Sequence, residues 1–81
     1  MKDNKFGIAH TSVIHDVDLS LRAKGVYTIL CTFADKDRTC FPKISTLAEL
    51  AGVSRRTIER ILKELEEKNY VKRTGRIFKL E

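Results

Sequence analysis

The sequence predicts one small domain that is mainly α-helical and ends in a short β-hairpin. Three segments with apolar residues at helical spacing, and two β-prone segments around a Thr-Gly pair near the C terminus, indicate this architecture. The 81 residues suffice for one domain, because domains contain roughly 50 residues or more. A chain of this size buries only about 60% of its unfolded surface, which argues against a two-domain enzyme with a large substrate cavity.

The N-terminal residues 1–19 are predicted to form an arm that precedes the helical domain of residues 20–81. Phe6–Ile14 is rich in β-forming residues, although apolar and polar positions alternate poorly. This segment is predicted to be a short strand or an extended arm.

The first predicted helix spans Leu21–Phe33 and follows Ser20, a residue type that caps helices well. Gly25 weakens this helix and predicts a close contact with a second helix. The apolar residues that form its predicted core-facing side are Val26, Ile29, Leu30 and Phe33. The aromatic side chains expected in the core are Tyr27, Phe33 and Phe41.

The second predicted helix spans Ile44–Ala51 and ends at Gly52, because glycine tolerates the left-handed backbone that commonly ends a helix. The capping-box spacing of Thr46 and Glu49 leaves a later start open. Before this helix, Cys40–Phe41 can form only a very short strand, since Pro42 lacks a backbone N–H.

The third predicted helix begins after Ser54 as N-cap and continues to about Asn69. Tyr70–Arg73, a turn at Thr74 and Gly75, and Arg76–Leu80 then read as a small hairpin.

Basic residues are concentrated in the last third of the chain. Residues 54–79 contain nine basic and four acidic side chains, whereas residues 1–53 contain seven basic and six acidic ones. The whole chain has a formal charge of +5. A basic surface of this kind is typical of proteins that bind a polyanion, although many basic surfaces serve only solubility.

The segment Leu47–Leu65 has the residues that a helix-turn-helix requires. Ala48 is small enough for a second helix to cross closely, Gly52 makes the sharp turn, and Val53 fills the corner. Ile58 attaches the following helix to the core. In this motif the second helix enters the major groove of DNA.

A helical wheel of the third predicted helix separates its apolar and basic residues. Ile58, Ile61, Leu62 and Leu65 lie on one side, opposite Arg56, Arg60 and Lys63, with Arg55 at the N-terminal edge of the basic side. Arginine can donate two hydrogen bonds to guanine O6 and N7. The hydroxyls of Ser54 and Thr57, with the backbone N–H groups of the first turn, can hold a phosphate.

The stretch LAELAGVSRRTIERILKEL resembles the helix-turn-helix of bacterial DNA-binding proteins. The wider stretch from Leu19 to Arg73 is similar to the winged helix-turn-helix domains of plasmid and phage replication initiators and of DnaD-like primosomal proteins. The residues that carry this wider resemblance are Ser20, Ala23-Lys24, Tyr27, Leu30, Cys40-Phe41-Pro42 and LAELAGVSRRTIERILKELEEKNYVKR.

The resemblance implies a three-helix core with a β-hairpin wing, and a role in binding double-stranded DNA. It places Arg55, Arg56 and Arg60 at base edges and Ser54 and Thr57 near phosphates. It places Arg73 and Arg76 on the wing, near the DNA backbone or minor groove; Lys63 is expected at a phosphate. Two departures from the family pattern are Lys43, where related domains often have a capping serine, and a very short wing turn.

Alternative interpretations of the same residues stay open. The basic side could be an ordinary solvated helix face, with Glu59 paired to Arg55 and Lys63. The domain could instead be a protein-interaction module of a replication or regulatory assembly. Within DNA binding, a replication initiator and a transcriptional regulator fit equally well, and a homodimer is open, with Phe6–Ile14 as the candidate contact.

No catalytic, metal or cofactor site is expected. Cys31 and Cys40 have no metal-ligand spacing with His10 or His15, and both thiols are expected to be free, small packing residues in a reducing cytoplasm. The two histidines are expected at the surface. No membrane partner is expected, since the most apolar stretch, Gly25–Ala34, is too short to cross a bilayer.

Overall fold

The computed structural model describes residues 11–80. Within them, four helices pack around one core and a three-stranded antiparallel sheet closes one side, in the strand order β1-β3-β2. The predicted fold class, mainly α with a small β-hairpin, is confirmed. The elements are α1 Thr11–Ile14, α2 Leu21–Phe33, β1 Thr39–Cys40, α3 Ile44–Ala51, α4 Arg55–Glu67, β2 Val71–Thr74 and β3 Ile77–Leu80.

The strand or extended arm predicted for Phe6–Ile14 is wrong at its C-terminal end. Thr11–Ile14 forms one turn of helix, α1, and residues 6–10 of the predicted segment lie outside the described residues. Val13 is fully buried in the common core, so tertiary packing decides the local conformation here, against the β propensity of the segment. The boundary at residues 19 and 20 stays a prediction.

The segment after α1 is attached to the C-terminal end of α4 by hydrogen bonds. The Tyr70 hydroxyl donates to Asp16 Oδ2 at 2.6 Å, and Lys68 Nζ lies 3.0 Å from the same oxygen. Glu64 accepts from the backbone N–H and the hydroxyl of Ser20 at 3.0 and 2.9 Å. These contacts hold the start of α2 beside α4.

Helix α2 has the predicted bounds, and Ser20 Oγ accepts from the Ala23 N–H at 3.1 Å as its N-cap. Two details differ from prediction. A Cβ added at Gly25 would meet nothing within 4 Å, so Gly25 marks no close helix contact. Phe33 is 42% exposed, because it lies at the edge of the buried side, which consists of Ala23, Val26, Tyr27, Leu30 and Cys31.

Phe41 is also wrongly predicted as a core residue, since it is 76% exposed. The short strand is Thr39–Cys40 rather than Cys40–Phe41. Cys40 pairs with Phe78 of β3 and both are buried. Phe41 follows the last paired residue, where the chain leaves the sheet toward Pro42.

The hairpin exists, but its turn lies one residue later than predicted. Thr74 pairs with Ile77, so the two turn residues are Gly75 and Arg76. Gly75 has φ of 61° and Arg76 has no positive φ, which fits a type II′ turn, where the first turn residue needs positive φ. The third strand, β1, extends the sheet beyond the predicted hairpin.

The corner between α3 and α4 forms as predicted. Gly52 adopts φ 71° and ψ 30°, and its N–H reaches the carbonyls at the end of α3. Ser54 then caps α4 by accepting from the Thr57 N–H at 3.2 Å. At the start of α3, Lys43 makes no side-chain capping bond, in keeping with the missing serine. Helix α4 ends at Glu67, two residues before the predicted Asn69.

The two thiols are free and buried, as predicted. Burial raises the pKa of Cys31 and raises that of Cys40 to about 11. In residues 11–80, no helix has the length and apolar content needed to cross a membrane.

The two glycines Gly52 and Gly25 should respond in opposite ways to the same substitution. Gly52→Ala should destabilise the domain by about 1–2 kcal/mol, because its left-handed φ strains an L side chain. Gly25→Ala should stabilise it by about 0.5–1 kcal/mol, because alanine favours a helix interior and its methyl has room. Urea unfolding followed by circular dichroism measures both changes; equal losses would contradict this account.

The Asp16 contacts should make part of the stability depend on pH. The hydrogen bond from Tyr70, then that from Lys68, lowers the pKa of Asp16 from 3.8 to about 2. The stabilisation is therefore complete above the unfolded-state pKa and disappears as pH falls from about 4 to 2. Asp16→Asn should be less stable than the wild type at neutral pH, and the difference should shrink across that window in urea titrations.

The control for this change is Asp37→Asn, which removes an exposed carboxylate from the turn before β1. A difference between wild type and Asp16→Asn that stays constant from neutral to acidic pH would show that Asp16 does not act through its charge.

Candidate nucleic-acid interface

Helix α4 has one side in the core and the other in solvent. Its buried residues are Ile58, Ile61, Leu62 and Leu65, as the wheel predicts. On the opposite side, Arg56, Arg60 and Lys63 are all exposed. Packing of the apolar side thus holds three cations on one outward surface, which we call the basic face of α4.

The N-terminal turn of α4 brings Ser54, Arg55 and Thr57 together. Ser54 Oγ accepts from the Thr57 backbone N–H, and the two hydroxyl oxygens lie 3.0 Å apart. Ser54 and Arg55 are exposed, whereas Thr57 is half-buried. The predicted phosphate-binding hydroxyls therefore lie next to the N-terminal end of the basic face.

The distribution of charge along α4 opposes the helix dipole. Its first turn contains no acidic residue and its last turn no basic one. Arg55 and Arg56 stand at the positive end of the dipole, and Glu66 and Glu67 stand near the negative end. Charges of the opposite order would stabilise a helix by about 0.3–1 kcal/mol each, so this arrangement gives up stability that an ordinary solvated helix could have.

Arg73 is held by protein contacts. Its Nη1 donates to Glu59 Oε1 at 3.0 Å, and its guanidinium lies 5.3 Å from the centroid of the Phe78 ring. The structure therefore places Arg73 between the wing and α4. Glu59 makes its ion pair across to β2, whereas the alternative interpretation had paired it with Arg55 and Lys63 along the helix.

Arg76, the other predicted wing residue, lies exposed in the hairpin turn. The structure thus places the eight predicted site residues on α4, at its N-cap and on the wing. They fall into two groups, which differ in whether the side chain has an ion pair within residues 11–80. Seven lie on the α4 surface and at the wing turn: Ser54, Arg55, Arg56, Thr57, Arg60, Lys63 and Arg76. Arg73 alone of the eight has an ion pair among the described contacts.

Two exposed lysines of the wing were missed. Lys72 and Lys79 pair directly across β2 and β3, an arrangement of like charges that destabilises a sheet. Their alternation with buried Val71, Phe78 and Leu80 is the signal that places them on the outer side of the sheet. They add positive charge to the outer side of the sheet.

Comparison with known proteins identifies the motif formed by α3 and α4. A family described as helix-turn-helix domain matches residues 17–71. The chain belongs to this helix-turn-helix domain family. Membership indicates DNA binding, and the match covers α2, α3 and α4 and ends at the first residue of β2.

No curated protein and no solved structure matches the chain. The similarity to replication initiators and DnaD-like proteins therefore has no support from these comparisons.

The Glu59–Arg73 ion pair should contribute a small, salt-sensitive coupling energy to the free energy of unfolding. A double-mutant cycle of Glu59→Ala and Arg73→Ala should give a coupling energy of about 0.2–1 kcal/mol, since both side chains are partly exposed. The coupling, measured by urea unfolding, should fall at high salt. A parallel cycle with Glu67 in place of Glu59 should give almost none; equal coupling in both cycles would contradict a specific pair.

Proposed function

We propose that this helix-turn-helix domain binds double-stranded DNA with α4 in the major groove. The observation that carries the proposal is the basic face of α4, held outward by burial of the opposite side. The thirteen residues of α4 extend for about 20 Å, and the major groove, about 12 Å wide, admits a helix of this kind. The unfavourable charge order along α4 fits a surface whose cations serve a polyanion.

Base recognition is assigned to Arg55, Arg56 and Arg60. All three are exposed on α4, and none has an ion pair among the described contacts. Their guanidinium groups are available for two-pronged hydrogen bonds to guanine. We expect guanines opposite them in a preferred site.

Phosphate contacts are assigned to Ser54, Thr57, Lys63 and Arg76, which flank the base-reading arginines. Arg73, expected at the DNA backbone from the sequence, receives a different role here. Its bond to Glu59 connects the wing to α4. This bond therefore fixes the position of the wing cations relative to the major groove that α4 would occupy.

In the cell, the domain would serve a replication initiator or a transcriptional regulator. The sequence resemblance of Leu19–Arg73 supports this pair of roles and does not separate them. A homodimer that reads two half-sites fits either role, since one helix-turn-helix covers a single half-site.

Fluorescence anisotropy with random-sequence duplex DNA tests the proposal. If about five phosphates are neutralised, log K should fall with log salt at a slope of roughly −4.5. The double variant Arg56→Ala/Arg60→Ala should lose most of this binding. The matched control Lys24→Ala/Lys36→Ala removes the same charge outside α4 and the wing and should keep most of it.

Equal losses of DNA affinity in the two double variants would show that α4 contributes only as part of a general basic surface. Absence of binding by the folded wild type at low salt would reject DNA binding and favour the protein-interaction module. In a preferred site, Arg56→Ala should cost about 1–3 kcal/mol and relax selection at one base pair. A uniform loss on all sequences would make Arg56 a phosphate contact.

A further inference from the structure

A groove separates the wing from the start of α3, and Arg76 is the one residue assigned above to a duplex contact that lines it. Its volume is about 610 Å³, within the range of roughly 300–1,000 Å³ found for ligand sites. Phe41, Pro42 and Ile44 line it from the α3 side, Gly75 and Arg76 line it from the wing turn, and Phe78 of β3 completes the lining.

Phe41 is the most exposed phenylalanine of residues 11–80, with 76% of its surface accessible. Its position at the end of β1, directly before Pro42, keeps its backbone between two ordered elements. An aromatic side chain that is exposed to solvent does not gain the hydrophobic free energy that its burial would provide. It also offers a flat surface on which another ring can stack.

Cations, and no carboxylates, accompany Phe41 in this groove. The charged residues that line it are Lys43, Arg73 and Arg76. Glu59 neutralises Arg73, whereas Lys43 and Arg76 are exposed, one on each wall. An occupant that suits these walls has a flat apolar part for Phe41 and a negative charge for the two cations.

We propose that this groove binds an unpaired nucleotide of single-stranded DNA. The base stacks on the ring of Phe41, and the adjoining phosphates lie between Lys43 and Arg76. Aromatic stacking combined with a positively charged groove is the general way in which proteins hold single strands without sequence preference. Every base presents such a face, so the site should accept all four bases.

The position of the groove relates this site to the basic face of α4. Arg73 belongs to the groove lining and is bonded to Glu59 on α4. The groove therefore adjoins α4 through this bond, and we expect a strand that leaves a duplex on α4 to reach it. The domain would then hold a junction of duplex and single-stranded DNA, but the single-strand site shares only Arg76 with the duplex contacts and does not require the duplex to be bound.

A tryptophan placed at position 41 tests the stacking directly, because the chain contains no tryptophan. In Phe41→Trp, a thymine dodecamer should quench the tryptophan fluorescence in a saturable way, at the concentrations at which anisotropy reports binding. Phe33→Trp is the matched control, since Phe33 is exposed on α2 and outside the groove. Its fluorescence should not change. No quenching in Phe41→Trp while the dodecamer binds would overturn the proposal.

Affinity measurements give the second test. Phe41→Ala should weaken dodecamer binding by about fivefold or more, as expected for loss of one stacked base, and Phe41→Tyr should restore it. Phe33→Ala should bind as the wild type does. A dodecamer made of abasic nucleotides should bind the wild type and Phe41→Ala equally, because only the base contacts the ring.

Duplex binding separates this inference from the proposed function. Phe41→Ala should bind blunt duplex as the wild type does, and Arg56→Ala/Arg60→Ala should retain dodecamer binding. Failure of the folded wild type to bind the dodecamer at low salt would reject the groove site and leave the role of α4 intact. Equal loss of duplex and dodecamer in Phe41→Ala would likewise reject a separate site.

Discussion

Burial of the apolar side of α4 is the contact on which the rest of the domain is built. Ile58, Leu62 and Leu65 are fully buried, and α2, α3 and β2 all pack against this helix. Because the two sides belong to one rigid helix, burial of the apolar side also determines the orientation of the opposite side. The cations of α4 need no contacts of their own to face solvent together, which leaves their hydrogen-bonding groups free for a partner.

The wing depends on contacts from two directions. Strand β1 pairs with β3 on one side, and the Glu59–Arg73 bond reaches from α4 to β2 on the other. A two-stranded hairpin alone is only marginally stable in water. Attachment to both α4 and β1 therefore gives Arg76 and the groove beside Phe41 a defined position relative to α4.

Helix spacing, capping residues and the glycine at the corner were sufficient to predict α2, α3, the turn at Gly52 and the two sides of α4. These features depend on neighbours in the sequence. The errors concern contacts between distant residues. The helical turn at Val13 and the β1–β3 pairing arise from tertiary packing, and the outward position of Phe41 follows from where that pairing stops. The Glu59–Arg73 bond joins residues fourteen positions apart, beyond the reach of a helical wheel.

The two buried thiols can report local unfolding of this domain through their rates of alkylation. Cys31 lies in α2 and Cys40 in β1, and both are buried with raised pKa. Since the thiolate is the reactive form, each sulfur reacts with an alkylating reagent only when its element separates from the core. The alkylation rate of Cys40 therefore measures how often β1 separates from the sheet. The alkylation rate of Cys31 measures how often the helical core is exposed, and neither measurement requires an introduced label.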